Sequence, residues 1–146
     1  MSETIRGNRF LAGTWSEVWF NGFRILETNK INVKVTFNRE DVQAGLDVDT
    51  KIVGEKGEGT LGINKVYTRF EDVRQEIARG HDPRGTIITK LKDPDAVGGQ
   101  TERYQIGNIA LTELGLEYEK GSVVKQEVPF SFTPRDMINL DAIQDV

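Results

Sequence analysis

Apolar and polar positions alternate through most of this chain with the period of β-strands. From Thr14 to Phe20, Trp15, Glu17 and Trp19 share one face, and Val18 and Phe20 share the other. Asn21-Gly22 follows; both central residues of a type I′ turn need positive φ, so this dipeptide predicts a hairpin. The chain resumes at Phe23-Arg-Ile-Leu. Over 31–37, Ile31, Val33, Val35 and Phe37 alternate with Asn32, Lys34 and Thr36, the pattern of a half-buried strand. We read it as the continuation of the hairpin in one long, bent strand. Further strand patterns cover 59–67, 86–92, 103–109, 110–118 and 124–133. In the last, Val128, Phe130 and Phe132 share a face and Pro129 lies opposite, where one ladder bond must be missing.

One segment changes period. Phe70, Val73 and Ile77 form the apolar stripe of a helix over 69–79. Thr68 and Glu71 match a capping box, Gly80 suits the left-handed position after the last turn, and Pro83 prevents continuation. The remainder is irregular: an arm over 1–13 with Phe10 and Leu11 as anchors, a loop over 93–99, and a polar tail over 134–146 read as a short helix or an arm. Residues 38–58 form a long polar excursion with a weak alternation of Leu46, Val48 and Thr50, read as an extended loop of functional use. About seven strands and one helix in a single domain, 1–146, predict a mainly β fold: an antiparallel sandwich or barrel with one flanking helix.

Composition narrows the function classes. The 146 residues contain no cysteine, which excludes disulfides, thiolate metal sites and cysteine nucleophiles. The formal charge is −4 and Lys and Arg are scattered, against the clustered cations that nucleic acid requires. No apolar run is long enough to span a bilayer, and Met1 to Gly7 lacks the apolar stretch of a signal peptide. Synthesis in the cytoplasm, with no membrane anchor, is the expectation.

Candidate chemistry is sparse. Gly57-Glu-Gly-Thr-Leu-Gly62 matches G-x-G-x-x-G, but a strand pattern follows where a dinucleotide site needs a helix. His81 is the only histidine, so a histidine metal cluster is excluded, and its place past a helix end favours interaction with the dipole. Ser16, Ser122 and Ser131 lie in no G-x-S-x-G elbow. Asp47-Val-Asp49 and Asp93-Pro-Asp95 lack the rest of a calcium loop and read as turn residues. No catalytic, metal or cofactor residue is assigned, and the chain reads as structural rather than enzymatic.

The order of several blocks resembles the tail tube proteins of PBSX-like prophages and R-type bacteriocin particles. The blocks are Glu17-Val-Trp-Phe-Asn-Gly22, Gly57 to Gly62, Thr68-Arg-Phe, Gly80-His-Asp-Pro83, Gly98-Gly-Gln-Thr-Glu-Arg103 and Glu127-Val-Pro-Phe-Ser-Phe132. The resemblance implies hexameric rings, joined through their sheets around a channel and stacked into the inner tube of a contractile particle, with sheath and baseplate proteins as partners. The excursion then supplies candidate inter-ring contacts: Gln43, Leu46, Val48, Lys51, Val53 and Glu55. Polar residues taken to lie opposite the apolar faces, Lys34, Thr36, Gln126 and Ser131, together with Pro129, are candidates for the sheet and subunit interface. The arm and tail are expected to reach neighbouring subunits. A mildly acidic subunit is expected to line the channel with like charges and discourage DNA from adhering. Two alternatives are a non-polymerising tube terminator or baseplate component of the same fold, and a carbohydrate-binding β-sandwich using Trp15 and Trp19.

Overall fold

The computed structural model describes residues 4–145. Its strands are β1 (Ser16–Phe20), β2 (Phe23–Arg24), β3 (Thr28–Ala44), β4 (Asp47–Asn64), β5 (Gly85–Leu91), β6 (Glu102–Leu111), β7 (Lys125–Phe132) and β8 (Met137–Asp141), with one α-helix, α1 (Glu71–Ala78). All strand pairs are antiparallel, in the order β2-β1-β5-β6-β7-β4-β3, with β8 also on β6. The mainly antiparallel β fold with one helix agrees with the alternation of the sequence.

The β1–β2 turn is the one predicted: Asn21 and Gly22 both have positive φ, 50° and 85°. The chain does not continue as one bent strand, because a turn at Leu26-Glu27 separates β2 from β3. Glu27 sits there against Arg69, whose guanidinium donates two hydrogen bonds to the carboxylate and also lies 4.9 Å from the Tyr67 ring centroid. This largely buried pair ties the turn to the segment ahead of α1, and the Arg69 bonds hold the Glu27 carboxyl below its ordinary pKa.

β6 is the corner of the fold. Its first part pairs with β5 and β8, and its last residues pair with β7. The register to β5 slips between Gly85 and Ile87, and Asn108 has φ of 50°, the signature of a bulge that bends a strand. The two strand patterns read at 103–109 and 110–118 are therefore one bent strand ending at Leu111, followed by irregular chain. β7 continues through a 3-10 turn at Pro134–Asp136 into β8. The tail is thus a paired strand, neither helix nor loose arm.

The core lies where the two halves of the sheet face each other. Val18, Ile87, Ile106 and Ile109 meet Leu61, Ile63, Val128, Phe130 and Phe132, all buried. Phe70 joins them edge-on to Phe20, centroids 5.5 Å apart. The helix is only loosely seated: no residue of α1 is buried, and Ile77 is half exposed. Its first turn lacks the predicted capping box. Phe70 is the N-cap, and Glu71 pairs with Arg74 instead. Its end is as predicted. Gly80 (φ 88°) donates to the Ile77 carbonyl and His81 N–H to the Glu76 carbonyl, a Schellman motif.

Candidate assembly surfaces

The excursion over 38–58 is not a loop. β3 and β4 pair continuously from Thr28↔Ile63 to Ala44↔Asp47, turning at Gly45 with φ of 68°. β7 covers only residues 57–64 of β4, so the part beyond Gly54 is a two-stranded ribbon standing away from the sheet. At ~3.3 Å per residue it projects on the order of 20 Å. The polar composition of 38–58 hides a strand because both faces meet water, which removes the period-2 signal. Past a register irregularity at Val53, cross-strand pairs Arg39–Ile52, Asp41–Thr50 and Gln43–Val48 share one face, and Glu40–Lys51, Val42–Asp49 and Ala44–Asp47 share the other.

The proposed contacts occupy distinct places on this ribbon. Gln43 and Val48 are opposite each other near the tip, and Leu46 is the fully exposed turn residue. Lys51 lies on the other face, and Glu55 pairs with Phe37 at the root. Val48, Ile52, Val53 and Phe37 are all more than two-fifths exposed. These apolar side chains are left uncovered on a hairpin that no third strand flanks among the described residues, the kind of surface that proteins commonly bury against a partner.

A second surface is the outer face of β3-β4-β7. Its rows run Lys34–Glu58–Ser131 and Asn32–Thr60–Pro129, with Thr36 opposite Lys56. Lys34 pairs with Glu58 at 3.2 Å and Lys30 with Glu127 at 3.4 Å. Pro129 accepts from Thr112 N–H at 3.0 Å. It has no N–H to return, and the β6–β7 ladder stops there. Lys34, Thr36, Pro129 and Ser131 are thus brought together as the sequence implied. Gln126 is not among them. It has the parity of Val128 and Phe130, lies opposite Ile63, and donates to the Gly115 carbonyl at 3.3 Å. Residues two apart share a face, so Glu127 takes the outer position instead.

The rejected motifs have structural explanations. A Cβ on Gly57 would stand 2.4 Å from the Phe132 ring, and one on Gly59 would stand 2.3 Å from the Asn32 carbonyl and 2.6 Å from the Phe130 ring. The glycines make room for aromatic rings and a close strand. His81 Nδ1 lies 2.7 Å from Glu76 Oε2, just past the helix end; with Arg79, it holds the Glu76 carboxyl below its ordinary pKa. Asp93 is buried and serves as a turn residue: its carboxylate accepts Ala12 N–H at 3.0 Å and Asp95 N–H at 2.9 Å. Among the described residues no group of three or more acidic, histidine or cysteine side chains is placed to hold a metal, and no helix is long and apolar enough to cross a membrane.

Other features were not visible in the sequence. The arm is fixed by polar contacts, with Arg9 donating to the Asp95 carbonyl, while Phe10 and Leu11 stay exposed; residues 1–3 of the arm lie outside the described residues. The facing halves of the sheet leave a cleft of about 600 Å³ lined by Ile31, Val33, Leu91, Tyr104 and Met137 among others. Each is ordinary in one strand pattern, and only the pairing order brings them together.

The comparisons with known proteins agree with this geometry. A family described as phage tail tube protein (DUF2001) matches residues 3–139. No curated protein matches the chain in sequence. Among solved structures, a chain of the sheath–tube complex of an extracellular contractile injection system in its extended state superposes with TM-score 0.72 at 13% identity, covering 90% of this chain and 92% of that one. A chain of the tube-terminating cap of the anti-feeding prophage gives 0.74 at 11% identity, covering 96% and 97%. A chain of the sheath/tube terminator of the former system gives 0.69 at 13%, covering 94% and 97%.

Proposed function

The chain belongs to the phage tail tube protein family, and from that premise we propose that it closes into hexameric rings that stack as the inner tube of a contractile tail or tail-like particle. The observation that carries the stacking is the ribbon: a hairpin of 17- and 18-residue strands whose distal part pairs with no third strand among the described residues and leaves Leu46, Val48 and Val53 uncovered. Gln43, Leu46, Val48, Lys51, Val53 and Glu55 are its candidate inter-ring residues. Lateral joining uses sheet edges, since among the described residues β3 is paired on one side only and an unpaired edge templates another strand. Sheath and baseplate proteins are the partners outside the tube, as in the particles to which the fold is similar, and the arm and tail are candidates for contacts between subunits.

We assign the outer face of β3-β4-β7, with Lys34, Thr36, Pro129 and Ser131, to the channel wall. This changes the expected electrostatics. Lys30, Lys34, Lys56 and Lys125 on that face outnumber Glu58 and Glu127, so the wall carries a small basic excess, partly neutralised by cross-strand pairs, rather than being uniformly acidic. No step in this role needs a catalytic group.

Negative-stain electron microscopy of the purified protein over a concentration series tests the reading. Hollow tubes of uniform width are expected. A ribbon shortened in register, with an Asn-Gly turn joining Asn38 directly to Gly54, should give single rings. Tubes from that variant would remove the ribbon from the axial contact. A terminator or baseplate component of this fold would give rings that never stack even with the ribbon intact.

A further inference from the structure

We propose that the ribbon tip of one copy docks into a groove at the opposite end of the same hairpin in the next copy. The proposal rests on the ring-stacking reading and names the acceptor for its axial contact. The groove, about 490 Å³, lies where β3 begins, β4 ends and β7 begins, and its lining includes Asn29, Lys30, Val123, Lys125 and Glu127. Val123 is well exposed there. The donor carries Leu46 at the turn with Asp47, Val48 and Asp49 behind it.

The two surfaces complement each other in both apolar character and charge. Leu46 against Val123 removes apolar area that neither copy covers alone. Residues 39–51 carry Glu40, Asp41, Asp47 and Asp49 against only Arg39 and Lys51. In the groove Glu127 already pairs with Lys30, while Lys125 is exposed and, among the described residues, in no ion pair. Lys125 is therefore the cation available to an acidic tip. Glu117 and Glu119 line the adjoining hollow past Val123; they repel an acidic tip from that side and confine it to the groove.

The placement also fixes the symmetry. Tip and groove lie at opposite ends of the same two strands, so one molecule cannot satisfy its own tip. A contact between unlike surfaces that does not close repeats indefinitely. The result is a polar stack in which every layer presents a fresh tip at one end and a fresh groove at the other.

The absence of cysteine makes disulfide trapping clean. Full-length protein carrying Leu46→Cys and Val123→Cys should, on oxidation, give a ladder of covalent oligomers on a non-reducing gel, because each copy offers one donor and one acceptor. Leu46→Cys alone and Val123→Cys alone should stay monomeric on that gel, because in the docked stack neither cysteine faces another. A double variant that gets no further than the dimer overturns the docking. Charge gives an independent arm: Asp47→Lys with Asp49→Lys should raise the concentration needed for stacking at least about tenfold, and adding Lys125→Glu should return it to within about threefold of the original. No recovery on adding Lys125→Glu overturns the proposal. Copies that ladder without forming rings would count against the hexameric reading alone, and tubes that form without a ladder would count against the docking alone.

Discussion

Gly59 shows how a side chain's absence can specify packing. Its missing Cβ leaves the Asn32 carbonyl and the Phe130 ring the space they occupy. The carbonyl belongs to the paired strand and cannot rotate away, so Gly59→Ala should destabilise by about 2–3 kcal/mol, as overpacking does. Gly7, with nothing within 4 Å of a built Cβ, serves as the neutral control. Urea unfolding followed by tryptophan fluorescence separates them; equal midpoints would mean the strands spread freely. Glu27 supports a pH prediction. Its carboxyl is held below the ordinary value by the Arg69 hydrogen bonds. A depressed folded pKa contributes stability that is complete above the ordinary value and is lost as pH falls through the folded one. Glu27→Gln should therefore cost about 1 kcal/mol at neutral pH, kept modest by the partly exposed guanidinium. The gap to the unaltered protein should narrow below about pH 4, and a gap unchanged down to pH 2 would show that the charge contributes nothing.

Among the elements, the ribbon is the least supported. An isolated two-stranded hairpin is marginal in water, and beyond Gly54, among the described residues, β3 and β4 pair only with each other. In the unassembled protein, amides of 39–52 should exchange with deuterium far faster than those of 57–63, which β7 covers. Assembly should slow the first group selectively; ribbon amides equally protected before and after would exclude them from the contact. The same element marks the limit of what the sequence discloses. Where one face is buried, as at Ile31, Val33 and Val35 or Val128, Phe130 and Phe132, alternation names strand and face together. Where both faces meet water, nothing alternates, and the ribbon reads as loop. Helix α1 was legible at its end through Gly80 and misread at its start, since Phe70 packing on Phe20 overrides the Thr68 cap. Of the interface candidates, Lys34 and Ser131 followed from parity. Gln126 was misplaced by one position, and the basal groove needed three strand ends that no local pattern connects.

At the scale of the whole molecule, both ends of the described chain are fastened to the connection between β5 and β6. Asp93 and Asp95 hold Ala12 and Arg9, and Gln100 exchanges two hydrogen bonds with Gln144. β8 adds a strand to β6 from Arg103 to Ile106 and brings Met137 against the core. A terminal segment serving only neighbours would not be tied so closely to its own subunit, so truncations must be graded. Removing residues 142–146 deletes the Gln100–Gln144 exchange while leaving β8 paired. That should cost less than about 1 kcal/mol, because the bonds are exposed. Removing residues 137–146 uncovers an edge of β6 and takes Met137 away, and should cost about 2–4 kcal/mol. The comparison that decides the tail's role uses both unfolding midpoints and tube yield. If the short truncation keeps its midpoint but loses tubes, the last residues act between subunits. If tubes persist until β8 is removed and fall only in step with stability, the tail belongs to the fold of its own subunit and lateral closure depends on the remaining edges, β3 above all.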